Sequence, residues 1–419
     1  MRYCMTQNEI IRLYVIQSAV EGKCTVRQAA DRLTLSTRRI KQLKKEFTLQ
    51  GASAIIHGNA NRSSPKKLQD ALVQEIVEIY NRDFTDCNFT HFQEILSTCF
   101  GIEIAYTSLH RLLKANGIKS PKSRRKKRKV HKTRERRPAE GMLLQADATP
   151  FAWFGGEEKF SLHGFIDDAT GKVTGAYLCK NECLLGYLEV LRQTLTNFGI
   201  PQALYPDRHS VFFVNSKKED DLSIEEQLAG INKKTTQFGR IIDRLGIDMF
   251  PAHSPQAKGR VERLWNTLQS RLPVELRMAG ISTCKEANSF LLEYLPQFNR
   301  KFGAEPKESF SAFVPVPSSC DLDRLLSVEL TRSLSRGSTV SISNKTFLIE
   351  QDAFLAGTKV TILLSEKYGL RALINGAFYP VRCLDDLTNK TQGPIRTGEI
   401  PRVVLELLHA YLLKESKAG

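Results

Sequence analysis

The sequence predicts a multidomain α/β protein with helical units first, a mixed-sheet domain in the middle and a small β-barrel near the end. Two observations indicate this fold class. Apolar residues recur at helical spacing up to about residue 118, whereas β-leaning segments alternate with helical ones after Pro138. The chain has 419 residues, a length that suits about three domains.

Residues 1–56 predict a helix-turn-helix DNA-binding domain. A helix over 8–21 is followed by two short helices, for which Thr25 and Ser36 are the expected N-caps. The second short helix is basic and presents side chains that can reach phosphates and base edges in a major groove. Any helical hairpin can show this pattern, and the basic second helix favours DNA binding. The candidate DNA-binding residues are Thr37, Arg38, Arg39, Lys41 and Gln42.

Residues 66–118 predict a second, winged-helix-like helix-turn-helix unit. Helices are expected over 68–81, 91–99 and 107–116, and the last of them is again basic. The polar stretch 57–67 is interpreted as the linker between the two units.

Residues 119–138 form a basic linker. Lys119 to Arg137 include 12 basic residues and one acidic residue, a local charge of +11 within a total of +16. Because like charges at this density repel one another, we expect an arm that becomes ordered on a polyanion such as double-stranded DNA. A solvated linker or a localisation signal is the alternative. The candidate DNA contacts in this arm are Arg124, Arg125, Lys126, Lys127 and Arg128.

Residues 139–310 predict the α/β domain. The expected strands are 142–154, 160–166, 173–178, 203–205 and 247–251, and the expected helices are 184–198, 236–245 and 257–272. The charged stretch 216–234 is interpreted as an insertion loop. Strands that first form a meander and then alternate with helices are typical of a mixed sheet.

The last part of the chain predicts a small β-barrel over 330–390 and a terminal helix over 399–419. Five short strands are expected between 338 and 381, and Asn375-Gly376 is a strong hairpin signal.

Composition excludes several classes of protein. No apolar stretch approaches the ~18–20 residues of a membrane span, and the N-terminal residues lack the apolar core of a signal peptide. The nine cysteines occur singly, with no CxxC spacing, which argues against a disulfide framework and a zinc knuckle. We therefore expect a bacterial cytoplasmic protein that is associated with the nucleoid and not with a membrane.

Three carboxylates are the candidate catalytic and metal-binding residues. Asp147 follows an apolar strand, Asp207 follows another strand at its carboxyl end, and Glu262 lies on the helix over 257–272. Carboxylates from two strands and one helix can converge on two Mg²⁺ ions, which prefer oxygen ligands and support in-line phosphoryl transfer. Each residue also has a structural interpretation: Asp147 as a turn cap, Asp207 as a loop start, and Glu262 as a partner of Lys258.

The flanking segments carry a resemblance to a known family. LQADATPFAW, LHGFIDDATGKVTGAYL, PQALYPDRHSVF and LGIDMFPAHSPQAKGRVERLWNTLQ resemble, in this order, the catalytic core of DDE transposases and retroviral-type integrases. The sequence is most similar to bacterial insertion-sequence transposases of the ISNCY group, from Thr6 to about Phe310. Many members have Asp-Asn-Gly where this chain has Asp207-Arg208-His209.

The resemblance implies an RNase H-like fold over 139–310 and a DDE-type transposase. It also implies dependence on two Mg²⁺ or Mn²⁺ ions, held by Asp147, Asp207 and Glu262 as the acidic triad. The implied partners are the DNA of the element ends and of the target, with a homodimer or larger oligomer assembled on it. Lys258 and Arg260, near Glu262, are the expected phosphate contacts, with solvated charge as the alternative.

Other residues of these segments are interpreted as structural. Asp167 and Asp168 are turn formers before Gly171, Trp265 is core packing, and His163 and His253 are lone histidines. Two other functions fit the same domains. One is a non-catalytic sequence-specific DNA-binding protein, either a repressor or a decayed transposase. The other is a structure-directed nuclease, and the paired helix-turn-helix units argue against that class.

Overall fold

The computed structural model describes residues 5–56, 68–121, 135–214, 235–252, 259–350, 357–365, 367, 369–384 and 402–413. Most of the basic arm, the predicted insertion loop 216–234, and His253 and Lys258 lie outside these ranges. Contacts between backbone positions divide the chain into two compact units, Met1–Tyr80 and Asn81–Gly419.

The first unit contains three helices and a short 3₁₀ turn. The helices are α1 (Gln7–Val20), α2 (Val26–Leu33) and α3 (Thr37–Gln50), and the turn is Gly51–Ile55. Thr25 and Ser36 accept hydrogen bonds from backbone amides of α2 and α3, as predicted for N-caps. Thr34 ends α2 in the left-handed region, at φ 51°. The core is formed by residues from all three helices: Ile16, Ala19, Ala29, Ala30, Ile40 and Leu43.

Helix α4 (Asp70–Asp83) runs across the boundary between the two units. The second unit continues with α5 (Phe89–Phe100) and α6 (Tyr106–Ala115). Asn88 caps α5, and Gly101 closes it at φ 66°, a left-handed conformation that glycine adopts without strain.

A five-stranded mixed sheet forms the centre of the second unit. Its strands are β1 (Leu144–Phe151), β2 (Phe160–Asp167), β3 (Val173–Cys179), β4 (Ala203–Tyr205) and β5 (Asp248–Met249), in the order β3-β2-β1-β4-β5. β1, β2 and β3 pair antiparallel, whereas β1–β4 and β4–β5 pair parallel. The meander followed by parallel strands confirms the predicted mixed sheet.

Helices cover both faces of this sheet. On one face lie α7 (Leu184–Asn197) and α8 (Gln237–Arg244), and on the other lie α9 (Gly259–Leu268), α10 (Leu272–Met278) and α11 (Cys284–Phe302). The two apolar clusters are built from alternating strand residues, so that Leu144 and Ala146 of β1 pack towards α7.

A six-stranded antiparallel sheet follows. Its strands are β6 (Val328–Ser333), β7 (Thr339–Ile342), β8 (Lys345–Ile349), β9 (Lys359–Ser365), β10 (Gly369–Ile374) and β11 (Ala377–Cys383), in the order β6-β9-β10-β11-β8-β7. The predicted hairpin at Asn375-Gly376 is confirmed, because both residues have positive φ and join Ile374 to its partner Ala377. A short helix, α12 (Leu322–Leu325), precedes β6, and α13 (Arg402–Leu412) follows β11.

Some elements of the structure differ from the sequence predictions. The single helix expected over 257–272 is wrong at its end, because α9 stops at Leu268 and α10 starts at Leu272 with Pro273 in its first turn. Proline lacks the amide that a continuing helix needs, so it begins a new one. The structure also contains α11, α12 and β6, for which no element is predicted from the sequence.

The chain is a multidomain α/β protein with a mixed sheet and N-terminal helices. Among the helices in the described part of the chain, none is long and apolar enough to cross a membrane.

Candidate functional site

Asp147 lies within β1, not after a strand as expected from the sequence, and Asp207 lies just beyond β4, the parallel neighbour of β1. β1 pairs with β4 through Leu144 opposite Leu204 and Gln145 opposite Tyr205. Continuing this register by two residues aligns Asp147 with Asp207, directly beyond the carboxyl end of β4. The fold therefore brings the two aspartates to the edge of the sheet where α/β proteins place their sites. Both side chains are half-buried.

Tyr187 of α7 lies buried near both aspartates. Burial raises the pKa of its phenol well above the ordinary value, and the negative charges of Glu182, Asp147 and Asp207 raise it further. The hydroxyl donates to Glu182 Oε1 at 2.5 Å, and Glu182 lies 3.5 Å from His209 Nδ1. The phenol therefore stays protonated beneath the carboxylates at neutral pH.

The segment after Asp207 folds back on it. The backbone amide of His209 donates to Asp207 Oδ1 at 3.0 Å, a local turn that asparagine and aspartate side chains often form. His209 has its ring directed at Glu182, while Arg208 is exposed. Of the two residues that depart from the Asp-Asn-Gly pattern, His209 thus contacts the surroundings of Asp207 and Arg208 faces solvent.

Helix α9 lies along β1 in a regular series of hydrogen bonds. The Trp265 indole Nε1 donates to Asp147 Oδ2 at 2.8 Å. One step earlier the backbone amide of Val261 donates to the side chain of Gln145, and one step later Gln269 donates to the side chain of Thr149. Every second residue of β1 contacts every fourth residue of α9 and of the turn that follows it. The two spacings nearly match, because two strand residues rise about 6.6 Å and four helix residues rise about 6.0 Å.

Gly164 makes room for this arrangement. It pairs with Asp147 across β1 and β2, and a Cβ atom at Gly164 would lie 2.8 Å from Trp265 Cη2. The indole therefore packs over the glycine and reaches Asp147. The prediction that Trp265 is core packing agrees with its burial, but sequence reasoning missed its hydrogen bond to a candidate catalytic residue. Its spacing from Glu262 was the available signal.

Glu262 lies in the first turn of α9 with an exposed side chain. Within the described ranges, no three His, Cys, Asp or Glu side chains are grouped closely enough to hold a metal ion. Carboxylate oxygens are the ligands that Mg²⁺ prefers, so the donor chemistry fits this ion. The structure aligns the two aspartates and holds the helix of Glu262 against one of them.

Asp167 and Asp168 are fully buried in the turn after β2. Asp167 accepts hydrogen bonds from the amides of Gly141 and Thr170, and burial raises the pKa of its carboxyl group. Asp168 accepts from the amide of Arg137 and from Gln145. These contacts hold the turn against the start of β1.

Arg260 of α9 forms an ion pair with the buried Asp168. Its guanidinium is largely buried, so its charge is compensated within the protein. Lys258, the other expected phosphate contact, lies outside the described residues.

The candidate DNA-binding residues of α3, Thr37, Arg38, Arg39, Lys41 and Gln42, are all exposed. Two of them contact a carboxylate on the same helix: Gln42 donates to Glu46 at 2.8 Å, and Arg39 lies 3.7 Å from it. The exposed face of α3 is therefore polar and accessible, and Glu46 adds one negative charge to it. Arg124 to Arg128 lie outside the described ranges.

Comparisons with known proteins give two curated relatives. The chain is 35% identical over 395 residues to the transposase for insertion sequence IS1202 of Streptococcus pneumoniae, and the match covers 85% of this chain and 82% of that protein. It is 32% identical over 355 residues to a Sinorhizobium fredii protein, y4bF, whose name also describes a transposase, covering 84% of this chain and 75% of that protein. No protein-family model matches the chain.

Solved structures give only weak similarity. An intasome of simian T-cell lymphotropic virus, solved with a PP2A regulatory subunit, is 16% identical with a TM-score of 0.29, and the match covers 74% of this chain and 95% of that one. The HTLV-2 integrase catalytic core domain in complex with magnesium is 19% identical with a TM-score of 0.26, covering 38% of this chain and 88% of that one. At these TM-scores the structural neighbours add nothing to the interpretation of the site.

Proposed function

Because the chain belongs to the family of insertion-sequence transposases, we propose that it binds the ends of its insertion element and carries out metal-dependent cleavage and transfer of DNA strands. The observation that most supports this proposal is the register of β1 and β4, which aligns Asp147 with Asp207. The hydrogen bond from Trp265 to Asp147 adds support, because it holds the helix of Glu262 at the same site.

Asp147, Asp207 and Glu262 are proposed as the catalytic residues of a DDE-type enzyme with an RNase H-like core. They would hold Mg²⁺ or Mn²⁺, two ions in all. When bound, these ions would stabilise negative charge on the phosphate oxygens. The partly buried aspartates keep their geometry through Trp265 and the turn at His209.

The proposed reaction has two displacement steps. Water attacks a phosphodiester at the element end, and the bond to the 3′ oxygen breaks, which leaves a 3′-hydroxyl on one strand. That hydroxyl then attacks a phosphodiester of the target DNA and releases a new 3′-hydroxyl there. Neither step needs a covalent bond to the protein, so the chain's task is to hold both phosphates in line.

The DNA contacts are assigned to separate parts of the chain. Helix α3 and its neighbours are proposed to act as a helix-turn-helix that reads the element ends, through Thr37, Arg38, Arg39, Lys41 and Gln42. The arm around Arg124 to Arg128, with Lys258, is proposed to contact the phosphate backbone, and the C-terminal sheet to form a small barrel that adds nonspecific contacts. Two ends must be joined in one complex, so a dimer or larger assembly on nucleoid DNA is proposed.

The exposed polar face of α3 also favours a second function, because binding to DNA needs no catalytic centre. On this alternative the chain would bind the element ends as a repressor or a decayed transposase.

Nicking of a DNA duplex from the border of the element distinguishes the two functions. Wild-type protein with Mg²⁺ is expected to nick this duplex, and Asp147→Asn, Asp207→Asn and Glu262→Gln are expected to bind it without nicking. Asp243→Asn and Glu293→Gln are matched controls, because both residues are exposed and lie on α8 and α11. Binding without nicking by wild-type protein, with either Mg²⁺ or Mn²⁺, would establish the alternative.

A further inference from the structure

Helix α5 is joined directly to the end of α9. Asn88, the N-cap of α5, accepts from the amide of His91 at 3.0 Å and donates its side-chain amide to the carbonyl of Ser270 at 3.4 Å. The next residue, Arg271, donates two hydrogen bonds to Glu94 of α5, at 2.7 and 2.8 Å. This bidentate pair fixes orientation as well as distance.

Two more contacts extend the junction along α10. The fully buried ring of His91 lies 2.8 Å from Glu275 through Nε2. Arg277 donates to both oxygens of Asp86, at 2.8 and 2.9 Å, and to the carbonyl of Asp83. Because these contacts are spread over the segment before α5, its start and its middle, the helix is held at several points along the chain.

The Arg271 guanidinium is also confined by an aromatic ring. It lies 4.9 Å above the ring of Phe302, and its side chain is only 8% exposed. Lys301 is also paired with Glu94. The Glu94 carboxylate is therefore held by two cations that belong to α11 and to the segment between α9 and α10.

The junction is connected to Glu262 by a short rigid segment. Ser270 and Arg271 lie two and three residues after the end of α9, and Glu262 lies six residues before that end, about 9 Å of helix. Helix α9 is itself fixed on β1 by Trp265 and its neighbours. No flexible loop therefore separates α5 from the carboxylates of the site.

Helix α6 packs on α5 and presents an exposed polar face. Leu109, Leu112 and Leu113 are buried, and His110 contacts Phe89 of α5 edge-to-face at 5.8 Å between ring centroids. The exposed side chains can reach phosphates and base edges: Tyr106, Thr107, Ser108, Arg111 and Lys114.

We propose that α6 reads a block of base pairs near the element end and that the contacts of Ser270 and Arg271 fix the spacing between this block and the cleaved phosphate. The proposal rests on the proposed function for the cleavage itself. On this proposal the protein itself sets the distance along the DNA between the recognised block and the cleaved phosphate.

Insertion of base pairs into the DNA tests the spacing. Footprinting on a duplex from the border of the element, with wild-type protein and with Arg111→Gln, identifies the block as the protection that the variant loses. Two base pairs are then inserted between the block and the cut. The cut is expected to stay at a constant number of base pairs from the block. A cut that stays with the terminal bases would overturn the proposal.

Charge reversal tests the junction. Arg271→Glu and Glu94→Arg are each expected to spread cleavage over several neighbouring phosphates, with affinity for the duplex unchanged within about threefold. The double variant, which restores an ion pair, is expected to regain a single main cut. Arg300→Glu, the same change at an exposed position of α11, is the control. A single unchanged cut site in both single variants would contradict the proposal.

Footprints in the absence of cleavage separate this proposal from the proposed function. If wild-type protein does not cut, the proposed function fails, and the protected phosphates beyond the block still report the spacing. In wild-type protein this second protection is expected at a constant distance from the block, and in Arg271→Glu it is expected to weaken or shift. If wild-type protein and Arg271→Glu give the same footprint, the proposed fixed spacing is overturned, and this result does not depend on cleavage.

Discussion

The side chain of Trp265 acts directly on the candidate site through a hydrogen bond to one of its carboxylates. It donates its only polar hydrogen to Asp147 and is buried against Gly164. The other tryptophan, Trp153, donates to the carbonyl of Phe160 at 2.9 Å and is also buried. The chain thus contains two buried indoles that each donate one hydrogen bond, one to a candidate catalytic carboxylate and one to a neutral carbonyl.

Trp265→Phe is expected to lower Mg²⁺-dependent nicking by about 10- to 100-fold. The physical reason is the loss of a hydrogen bond to a carboxylate, worth about 1.5–3 kcal/mol, which holds Asp147 in position. Nicking rate and thermal unfolding are measured together, with Trp153→Phe as the control. Trp153→Phe is expected to lose less stability, because the bond that it removes ends on a neutral carbonyl and is worth about 0.5–1.5 kcal/mol. Equal nicking rates in the two variants would show that the Trp265 bond has no role in positioning.

Gly164→Ala is expected to destabilise the protein by about 1–3 kcal/mol. The added methyl group would lie 2.8 Å from Trp265, so the indole must move or the strand must shift. Denaturant unfolding measures the loss. Gly156→Ala is the matched control, since its methyl group would have no neighbour closer than 4.0 Å. Equal stability of the two variants would contradict the close contact.

At the level of single residues, the sequence indicates the carboxylates but not what surrounds them. Asp147 follows an apolar run that begins β1, and Asp207 follows β4, a pattern that is readable along the chain. Tyr187 of α7 lies close to both of them and Trp265 of α9 bonds Asp147, and these contacts depend on strand register and helix docking. Neither property can be derived from local spacing alone, so the network around Tyr187 was not predicted.

At the level of helices and strands, α11 and the break before α10 are also not predicted from the sequence, for different reasons. Thr283 and Glu286 form a capping box at the start of α11, a signal that was present in the sequence. Pro296 inside this helix is the opposite signal, since proline is rare in helix interiors. The packing of Leu291 and Leu295 on β3 outweighs that cost. The two local signals in this helix point in opposite directions, so no element is predicted from the sequence over 284–302.

The predicted caps and hairpin, in contrast, depend on local chemistry. Thr25 and Ser36 each bond an amide three residues later, and Asn375-Gly376 fits a tight turn because both positions have positive φ. Such features involve residues that are adjacent in sequence, so they could be predicted. The contact between α5 and α10 joins residues about 180 positions apart and could not.

The junction of α5 is expected to weaken in acid. Burial raises the pKa of Glu94, but the hydrogen bonds from Arg271 and Lys301 outweigh this, so the pKa is lowered overall. The hydrogen bond from Arg277 likewise lowers the pKa of Asp86. A lowered folded-state pKa gives stability that is present above the ordinary value of about 4.3 and is lost as the pH falls through the folded-state value.

Amide hydrogen exchange of α5 measures this effect, in wild-type protein and in Glu94→Gln. Between pH 7 and pH 3 the wild-type protection of α5 is expected to fall, after correction for intrinsic exchange. Glu94→Gln is expected to be less protected at pH 7, by about 1–3 kcal/mol, and to depend less on pH. Equal protection of the two proteins at neutral pH would be inconsistent with a stabilising Glu94 pair.

For the whole molecule, the distribution of charge matters more than its sum. A charge of +11 of the total +16 belongs to Lys119–Arg137, so the remaining chain is only weakly basic. The exposed face of α3 carries Glu46 among its cations, and Arg260 is neutralised by Asp168. Long-range attraction of DNA is therefore expected to depend mainly on the arm, and sequence selection on the helices.

Replacing Arg124, Arg125, Lys126, Lys127 and Arg128 by glutamine is expected to reduce the salt dependence of DNA binding. Each lost phosphate contact lowers the slope of log affinity against log salt by about 0.9, so five contacts lower it by about 4–5. Binding to a border duplex is measured between 50 and 200 mM salt, roughly the range over which such contacts act. Lys285→Gln with Arg300→Gln on α11 is the control, and an equal slope in both would assign the arm no phosphate contacts.

The match between β1 and α9 has a consequence for how this protein can vary. One extra residue between Val261 and Trp265 would rotate the rest of α9 by about 100° and advance it by about 1.5 Å. Trp265 and Gln269 would then both miss their acceptors on the strand, and the α5 junction would turn away with them. Functional relatives that share this helix can therefore differ in its side chains, whereas insertions and deletions within it should be eliminated by selection.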